Sequence, residues 1–330
     1  MKVLCIGESV LEVTCHVNDE IKEGKKLRFE EKSECGGGAA GNIAYLLSKW
    51  GVESYIASML GSDDDADKIK KEFENIGVKT DYIETSYDKS TGRNLVLVNK
   101  TNKNSTVFEL ASNANLRKYS FGIDANVIVS DGCEYNATIA ACDKYPGALS
   151  FLKISKVNNE ILELCKFSKF LIFNKEASEE ITKIAVNFED SSTLVNIYNR
   201  LKQRFNTAEI IVTLGERGCL YAINSQVKIM PPVRGEVVNT YAAGDIFSGA
   251  FIYSIIRSFG LEKALAYASI AASFSTTKLT SKASIPTLTE VTNYYDSKFG
   301  VQNNPNNNEQ SGETNMTTTE SENNDNQQNA

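Results

Sequence analysis

Residues 239–251 read Asn-Thr-Tyr-Ala-Ala-Gly-Asp-Ile-Phe-Ser-Gly-Ala-Phe. The small residues at 242–244 let several main-chain N–H groups point at one spot, and an apolar run at helical spacing follows them. A helix that starts here adds the positive end of its dipole, which suits a bound phosphate. Asp245 lies in the same turn, where a carboxylate can take a proton from an attacking hydroxyl. A plain helix start explains the same residues equally well, so this stretch alone leaves both interpretations open.

The composition narrows the class of protein. The chain has 330 residues, 42% of them hydrophobic, which suits one large α/β domain or two ordinary ones. The formal net charge is −7, and five of the carboxylates lie beyond Lys298, so the rest of the chain is close to neutral. A near-neutral body without a basic block argues against nucleic acid and anionic membranes as partners.

The cysteines indicate a reducing compartment. There are seven, an odd number, without a C-x-x-C pair, and His16 is the only histidine. Neither a disulfide framework nor a structural zinc site is expected from this pattern. Met1 leads directly into a strand-like run, so no signal peptide is expected. No apolar stretch approaches the ~18 residues needed to cross a membrane. These features together predict a cytoplasmic protein.

Apolar strands and amphipathic helices alternate along most of the chain. Strands are predicted at 2–7, 54–59, 127–130, 148–152, 170–173 and 209–214. Helices are predicted at 42–51, 66–76, 134–144, 158–166, 191–204, from the turn at 242–245 through 259, and at 261–277. Continuous apolar strands between helices predict an α/β fold with a mostly parallel sheet covered on both faces.

Two β-rich segments, at about 10–34 and 88–112, do not fit that alternation. The first alternates apolar and polar residues, and the second is a hairpin around the polar tip at 99–104. We expect them to pair into a small extra sheet beside the main one. Residues 301–330 are rich in Asn, Gln, Ser, Thr and Glu and contain no aromatic residue, so a disordered polar tail is expected there.

The glycines at 36–41 allow three interpretations. Gly36-x-Gly38-x-x-Gly41 has the spacing of a dinucleotide fingerprint, and Asp63 follows at a suitable distance. However, residues 29–35 before the glycines are too charged for a central buried strand, which disfavours hydride-transfer chemistry. The glycines either serve only close helix packing or let a sugar-sized ligand approach the amide of Asn42.

A third stretch, residues 212–219, leads from a strand through a two-glycine turn into another strand. Such a loop can face a nucleotide, but a simple hairpin connection to strands at 219–222 and 226–230 accounts for it equally well.

Taken together and in this order, these stretches resemble the PfkB, or ribokinase-like, family of carbohydrate kinases over residues 1–297. Residues 37–44, with the Trp-Gly pair at 50–51, are similar to the family's first signature, and residues 239–251 to its second. Residues 212–218 are similar to its Thr-Leu-Gly-x-x-Gly nucleotide loop. Two signatures in the right order are far more specific than either alone.

The resemblance implies a three-layer α/β sandwich with a mostly parallel central sheet and a small β lid, all in one kinase domain of residues 1–300. It implies ATP and Mg²⁺ as cofactors, phosphorylation of a sugar hydroxyl and Asp245 as general base. The N–H groups of Ala242, Ala243, Gly244 and Asp245 would hold the transferring phosphoryl group. The substrate side would comprise Glu12, Gly37, Gly38 and Asn42. The nucleotide side would comprise Asn174, Thr213, Gly215 and Gly218. No metal ligand is assigned, and pairing of lid edges would give a homodimer.

Several residues depart from the family pattern. In the second signature Asn239, Tyr241 and Ala242 stand where Asp, Thr and Gly are usual, and a Cβ at 242 matters if that position needs positive φ. Glu12 replaces an Asp, and Thr280 stands near a usual glycine. The Asn-x-x-Glu element appears as Asn-Lys-Glu-Ala at 174–177, with its Glu at the wrong offset. These departures motivate a second hypothesis, a degenerate relative that binds sugar or nucleotide as a regulator, and a nucleoside kinase is a third.

Overall fold

The computed structural model describes residues 1–19, 22–24, 26–101, 103, 105–110 and 114–300. The predicted tail at 301–330 and the end of the second lid segment at 111–112 lie outside these residues. The strands are β1 Lys2–Ile6, β2 Val10–Val17, β3 Phe29–Gly37, β4 Glu53–Leu60, β5 Lys79–Thr85, β6 Arg93–Asn99, β7 Ser105–Leu110, β8 Val127–Ser130, β9 Leu149–Ile154, β10 Phe170–Asn174, β11 Glu209–Thr213, β12 Cys219–Ile223 and β13 Gln226–Met230. The helices are α1 Ala39–Lys49, α2 Asp64–Ile76, α3 Tyr135–Lys144, α4 Asn159–Leu164, α5 Lys175–Thr182, α6 Ser191–Arg204, α7 Ala243–Ile256, α8 Leu261–Ser275, α9 Ser281–Ser284 and α10 Leu288–Phe299.

The large sheet has nine strands in the order β13-β12-β11-β10-β9-β8-β1-β4-β5. Every neighbouring pair from β11 to β5 is parallel, and only β12 and β13 are added antiparallel. In β1, which lies between β8 and β4, the four residues from Val3 to Ile6 are fully buried. Burial on both faces explains why these strands are continuously apolar, and the predicted mostly parallel sheet is confirmed.

Helices cover both faces of this sheet. Val3 and Cys5 of β1 pack into one hydrophobic cluster with α1, α2, α7, α8 and α10. Leu4 and Ile6 point the other way and pack with α3. A third cluster joins α4, α5 and α6 to strands β9 to β12. The fold is therefore the predicted ribokinase-like three-layer α/β sandwich.

The small sheet has four strands in the order β3-β2-β6-β7. Strands β2 and β6 are parallel, and the two outer pairs are antiparallel. Strand β3 runs from Phe29 to Gly37, so it extends beyond the predicted β-rich segment at 10–34, and the first two glycines lie inside the strand. A strand of this sheet has charged residues because one of its faces meets water.

Sequence periodicity missed β5, α5, α9 and α10 as separate elements. Helix α10 begins at a capping box in which the Thr287 side chain accepts from the main-chain N–H of Glu290 and the Glu290 carboxylate accepts in return. That Thr-x-x-Glu signal is present in the sequence. Helix α7 instead ends at Ile256, three residues before the predicted end. In the described part of the chain, no helix combines the length and apolarity needed to span a bilayer.

Candidate active site

The site lies at one edge of the large sheet. Strands β1, β8, β9, β10 and β11 are parallel, so their carboxyl ends meet at this edge. Glu8, Asp131, Lys153 and Asn174 follow or end four of these strands. Ligands of open α/β sheets bind at this edge in general. Side chains far apart in the sequence are therefore brought together here.

The turn before α7 has a strained backbone. Ala242 adopts the left-handed conformation, with φ 61° and ψ 0°. The N–H of Asp245 donates to the carbonyl of Ala242 at 2.9 Å, and that of Ala243 to Thr240 at 3.3 Å. Among the described residues, the N–H groups of Ala242 and Gly244 have no intramolecular acceptor. Two donors at the positive end of a helix dipole suit an anion.

Asp245 is held through both of its oxygens. It lies in the first turn of α7 and is 8% exposed. Its Oδ2 accepts from Nδ2 of Asn42 at 2.9 Å, and its Oδ1 lies 2.8 Å from Nζ of Lys153. Burial acts to lower the pKa of Lys153, but the charge and the hydrogen bond of Asp245 prevail and raise it. The Asp245 carboxylate therefore favours the charged form of the Lys153 ammonium.

Lys282 fixes the direction of the Asn42 amide. Its Nζ lies 3.1 Å from Oδ1 of Asn42, inside a pocket where the rings of Tyr45 and Phe73 lie 4.5 and 5.3 Å away. A lysine only donates, so the amide oxygen must face Lys282 and the amide NH₂ must face Asp245. Burial lowers the pKa of Lys282. The contact orients the donor to the carboxylate at the start of α7.

On the predicted substrate side, two glycines make room for Glu12. The Glu12 side chain is buried, and its Oε1 accepts from the N–H of Gly38 at 3.2 Å. A Cβ at Gly37 would come within 1.8 Å of that same oxygen. Gly38 has φ +84°, and a Cβ there would lie 2.5 Å from the main-chain oxygen of Glu8. Only glycine allows this close approach, at 37 to the Glu12 carboxylate and at 38 to the main-chain oxygen of Glu8.

The small sheet contacts the turn before α7 through two side-chain pairs. Nδ2 of Asn94, on β6, donates to Oη of Tyr241 at 2.9 Å. Oγ of Ser105, on β7, donates to Oδ1 of Asn239 at 2.9 Å. Nδ2 of Asn239 in turn donates to the carbonyl of Leu279 at 2.6 Å, which an aspartate could not do. Two of the three residues that depart from the second signature, Asn239 and Tyr241, therefore join it to the small sheet.

The predicted nucleotide-side residues lie farther along the same edge. Asn174 and Thr213 are paired in register at the ends of β10 and β11. Gly215 and Gly218 follow in a single 3₁₀ turn, both with positive φ. A Cβ at Gly218 would lie 2.0 Å from a main-chain oxygen of β13. Oδ1 of Asn174 accepts from the N–H of Ala177 at 2.8 Å, so this side chain caps α5.

The altered Asn-x-x-Glu element leaves its carboxylate in solvent. The Glu176 side chain is 67% exposed and lies 3.8 Å from Nζ of Lys175. Within the described ranges, no group of three or more His, Cys, Asp and Glu side chains is placed to hold a metal ion. Mg²⁺ at kinase sites is typically bound through one or two carboxylates and the substrate phosphates, so such a group is not required.

Sequence analysis missed four charged residues of this site. Asp131 accepts at Oδ2 from the N–H groups of Glu8 and Ala40, at 2.8 and 3.2 Å. Burial, followed by the charges of Asp131 and other carboxylates, raises the pKa of Glu8 to about 7. The other two are Lys153 and Lys282. A lysine within the apolar run of β9 was the one available signal in the sequence, because a charge in a buried strand requires a partner.

The large sheet is mostly parallel, and the small sheet lies over its carboxyl edge. Beneath it, α7 begins at a turn that suits an anion. These features define the class of ribokinase-like α/β kinases. The chain belongs to the pfkB family of carbohydrate kinases, whose sequence pattern matches residues 1–288. It is thus a carbohydrate or nucleoside kinase by family.

Curated relatives with several substrates are similar to the chain. A bifunctional ribokinase/ribose-5-phosphate isomerase A of Fructilactobacillus sanfranciscensis is 26% identical over 305 residues, which span 88% of this chain but 56% of that longer protein. The ribokinase of Haemophilus influenzae is 24% identical, over 83% of this chain and 92% of the relative. The nucleoside kinase of Methanocaldococcus jannaschii is 22% identical, over 88% and 95%.

Solved structures share the fold. The ribokinase of Cryptococcus neoformans var. grubii serotype A in complex with ADP superposes with a TM-score of 0.77 at 19% identity, covering 89% of this chain and 99% of the other. Arabidopsis thaliana ribokinase complexed with ribose and ATP gives a TM-score of 0.71 at 19% identity, covering 88% and 97%.

Proposed function

We propose that this protein is an ATP-dependent kinase that phosphorylates a sugar hydroxyl, with Asp245 as the general base. The observation that carries the proposal is the position of that carboxylate, in the first turn of α7 beside two N–H groups without an acceptor among the described residues. Residues 1–300 form one kinase domain in this proposal, and the small sheet is its lid. The ribokinase and nucleoside kinase relatives support the reaction class.

The chemistry assigns separate tasks to the residues of the turn. Asp245 takes the proton of the substrate hydroxyl as its oxygen attacks the γ-phosphorus. The N–H groups of the turn stabilise the transferring phosphoryl group, and those of Ala242 and Gly244 have no acceptor among the described residues. In the family scheme the N–H groups of Ala243 and Asp245 complete the anion hole, which requires them to share or leave their present acceptors. A positioned base typically contributes on the order of 10²–10⁴ in rate.

Substrate and nucleotide occupy opposite ends of this edge in the proposal. The sugar lies beneath the lid against Glu12, Gly37, Gly38 and Asn42. The nucleotide lies over the strand ends and the turn at Asn174, Thr213, Gly215 and Gly218. Mg²⁺ arrives with ATP and neutralises charge that develops on the phosphates.

Two alternatives rest on specific observations. A nucleoside kinase is favoured by the similarity to the nucleoside kinase of M. jannaschii over 88% of this chain. A non-catalytic regulator is favoured by the occupied oxygens of Asp245, which has Asn42 and Lys153 as partners.

One experiment separates these three functions. ATP consumption is screened over sugars, deoxysugars and nucleosides, with Asp245→Ala as the negative control. Asp296→Ala, which removes an exposed carboxylate on α10, is the matched control. The kinase proposal predicts turnover with at least one sugar that Asp245→Ala loses and Asp296→Ala keeps. Ligands that raise thermal stability without turnover above the Asp245→Ala background would establish a regulator instead.

We also propose that the outer face of the lid forms a homodimer. Leu95 and Phe108 are directly paired across β6 and β7 and are 39% and 50% exposed, and Leu110 is 68% exposed. Apolar pairs on one exposed face are typical of an interface. Sedimentation of wild type and Phe108→Glu tests this, because the variant should be monomeric where the wild type is dimeric. The seven free cysteines fit the cytoplasmic location that we propose.

A further inference from the structure

Lys153 is a charged residue in an otherwise apolar strand. Its neighbours in β9, Leu152 and Ile154, are fully buried, and its own side chain is 16% exposed. Keeping an ammonium at such a place is unfavourable unless a partner carries the opposite charge. That partner is Asp245, whose Oδ1 lies 2.8 Å from Nζ.

The ammonium lies between the base and the nucleotide side of the site. Lys153 is in register with Ile172 on β10, two residues before Asn174. On its other side, β8 ends one residue before Asp131. Its partner Asp245 belongs to the same turn as the outward N–H groups of Ala242 and Gly244. An anion bound by that turn would therefore lie within reach of the Lys153 side chain.

We propose that Lys153 is a catalytic residue that leaves Asp245 for the γ-phosphoryl group when a nucleoside triphosphate binds. This inference rests on the proposed kinase function. In the transfer step the substrate oxygen forms a bond to the γ-phosphorus, and the bond from phosphorus to the β–γ bridging oxygen breaks. The hydroxyl proton goes to Oδ1 of Asp245, the oxygen that Lys153 has vacated. The nucleoside diphosphate leaves with the electron pair of the broken bond.

Two features of the site favour this exchange of partners. With Lys153 and Asn42 in place, each oxygen of Asp245 already has one donor, so a substrate hydroxyl must share an oxygen with one of them. A triphosphate carries more negative charge than one carboxylate and competes for the ammonium. The Glu176 carboxylate is 67% exposed. The ammonium of Lys153 adds to the charge stabilisation that phosphoryl transfer needs. Binding of the phosphoryl donor thus releases Oδ1 of the base from the ammonium.

The test compares binding of a triphosphate with binding of a diphosphate. Calorimetric titrations use the non-hydrolysable analogue AMP-PCP or ADP, each with MgCl₂, on the full chain. Lys153→Met should weaken AMP-PCP on the order of tenfold or more, as expected for a lost charge-assisted hydrogen bond, and leave ADP within about twofold. Lys153→Arg keeps the charge and should retain most of the preference for AMP-PCP. Lys166→Met, which removes an exposed lysine paired with Glu163, should bind both as wild type does.

Thermal melts test whether each variant is folded. If Lys153→Met does not fold, Lys153→Gln takes its place in the titrations. Equal loss of AMP-PCP and ADP affinity, or loss of neither, would overturn the proposal. So would a higher kcat in Lys153→Met, because the lysine would then only quench the base. A wild type that phosphorylates nothing but shows the Lys153-dependent preference for AMP-PCP would reject the kinase function. The contact of Lys153 with the γ-phosphate would then stand, and its catalytic role would fall with the kinase function.

Discussion

Replacing Ala242 by glycine tests the strain in the turn before α7. Ala242 has φ 61°, where an L-residue with a Cβ loses about 1–2 kcal/mol relative to glycine. Glycine also raises the conformational entropy of the unfolded chain, which offsets about 0.4–1 kcal/mol of the stability gained by relieving the strain. The net expectation is a free energy of unfolding higher by about 0.5–1 kcal/mol. For a chain of this size that corresponds to a rise in Tm of about 1–3 °C.

The same substitution tests whether the methyl group limits the reaction. If the N–H groups can bind the phosphoryl group only in a backbone conformation that alanine disfavours at 242, Ala242→Gly should raise kcat more than it changes the KM for the sugar. The strain of about 1–2 kcal/mol sets an upper bound of about 5- to 30-fold on the gain in kcat. A coupled ADP-release assay over a range of sugar concentrations separates kcat from KM, and calorimetry gives Tm.

Ser258→Gly is the matched control. Ser258 has φ 60° and lies exposed beyond the other end of α7. Its replacement by glycine therefore relieves similar strain away from the site. Both variants should gain stability, and only Ala242→Gly should change kcat. A Tm that stays constant or falls in both would refute the strain argument. A higher Tm with unchanged kcat would show that the anion hole tolerates the methyl group.

Three further predictions follow from contacts around the site. Tyr241→Phe leaves the buried amide of Asn94 without its partner, at a cost of about 1–3 kcal/mol. The KM for the sugar should therefore rise at least about fivefold in steady-state kinetics. An unchanged KM would show that this contact does not help to close the lid. Lys282→Met removes the donor to the amide oxygen of Asn42, so the amide loses its fixed orientation. We expect kcat to fall about tenfold or more, with little change in nucleotide affinity. A normal kcat would mean that the amide keeps its orientation without Lys282. Glu8 has its pKa raised to about 7, so its contribution to stability is complete below its unfolded pKa of about 4.5 and is lost as pH rises through 7. Glu8→Gln should therefore melt several degrees above wild type at pH 8, the difference should close by about pH 5, and a pH-independent difference would contradict this.

The elements that bury one continuous apolar stripe were predictable from the sequence. Residues 127–130 and 191–204 were assigned with the bounds that the structure shows, because their flanking turns are sharp and their periodicity is unmistakable. The extent of β3 was not, because charged residues in an exposed strand of a small sheet carry no apolar run. Helix α9 is four residues long, which is too short for periodicity to register.

The partners of the candidate base could not be predicted in the same way. Asn42 and Asp245 are 203 residues apart, and Lys282 is 240 residues from Asn42. The packing of α1, α7 and α9 in the folded chain brings them together. A lysine in β9 indicates that a buried countercharge exists, but the sequence gives no information about which of 42 acidic residues supplies it. Family resemblance adds nothing here, because it was read from the signatures alone.

The departures in the second signature acquire a physical role once the lid contacts are known. Asn239 and Tyr241 accept hydrogen bonds from Ser105 and Asn94, which lie on the two strands of the lid hairpin. Asn239 also accepts from the N–H of Tyr241 at 2.9 Å, so both contacts meet at the base of the turn before α7. Movement of the proposed lid would therefore break hydrogen bonds to that turn. Because these side chains couple the lid to the turn, their replacement of the usual residues is not by itself evidence of lost activity.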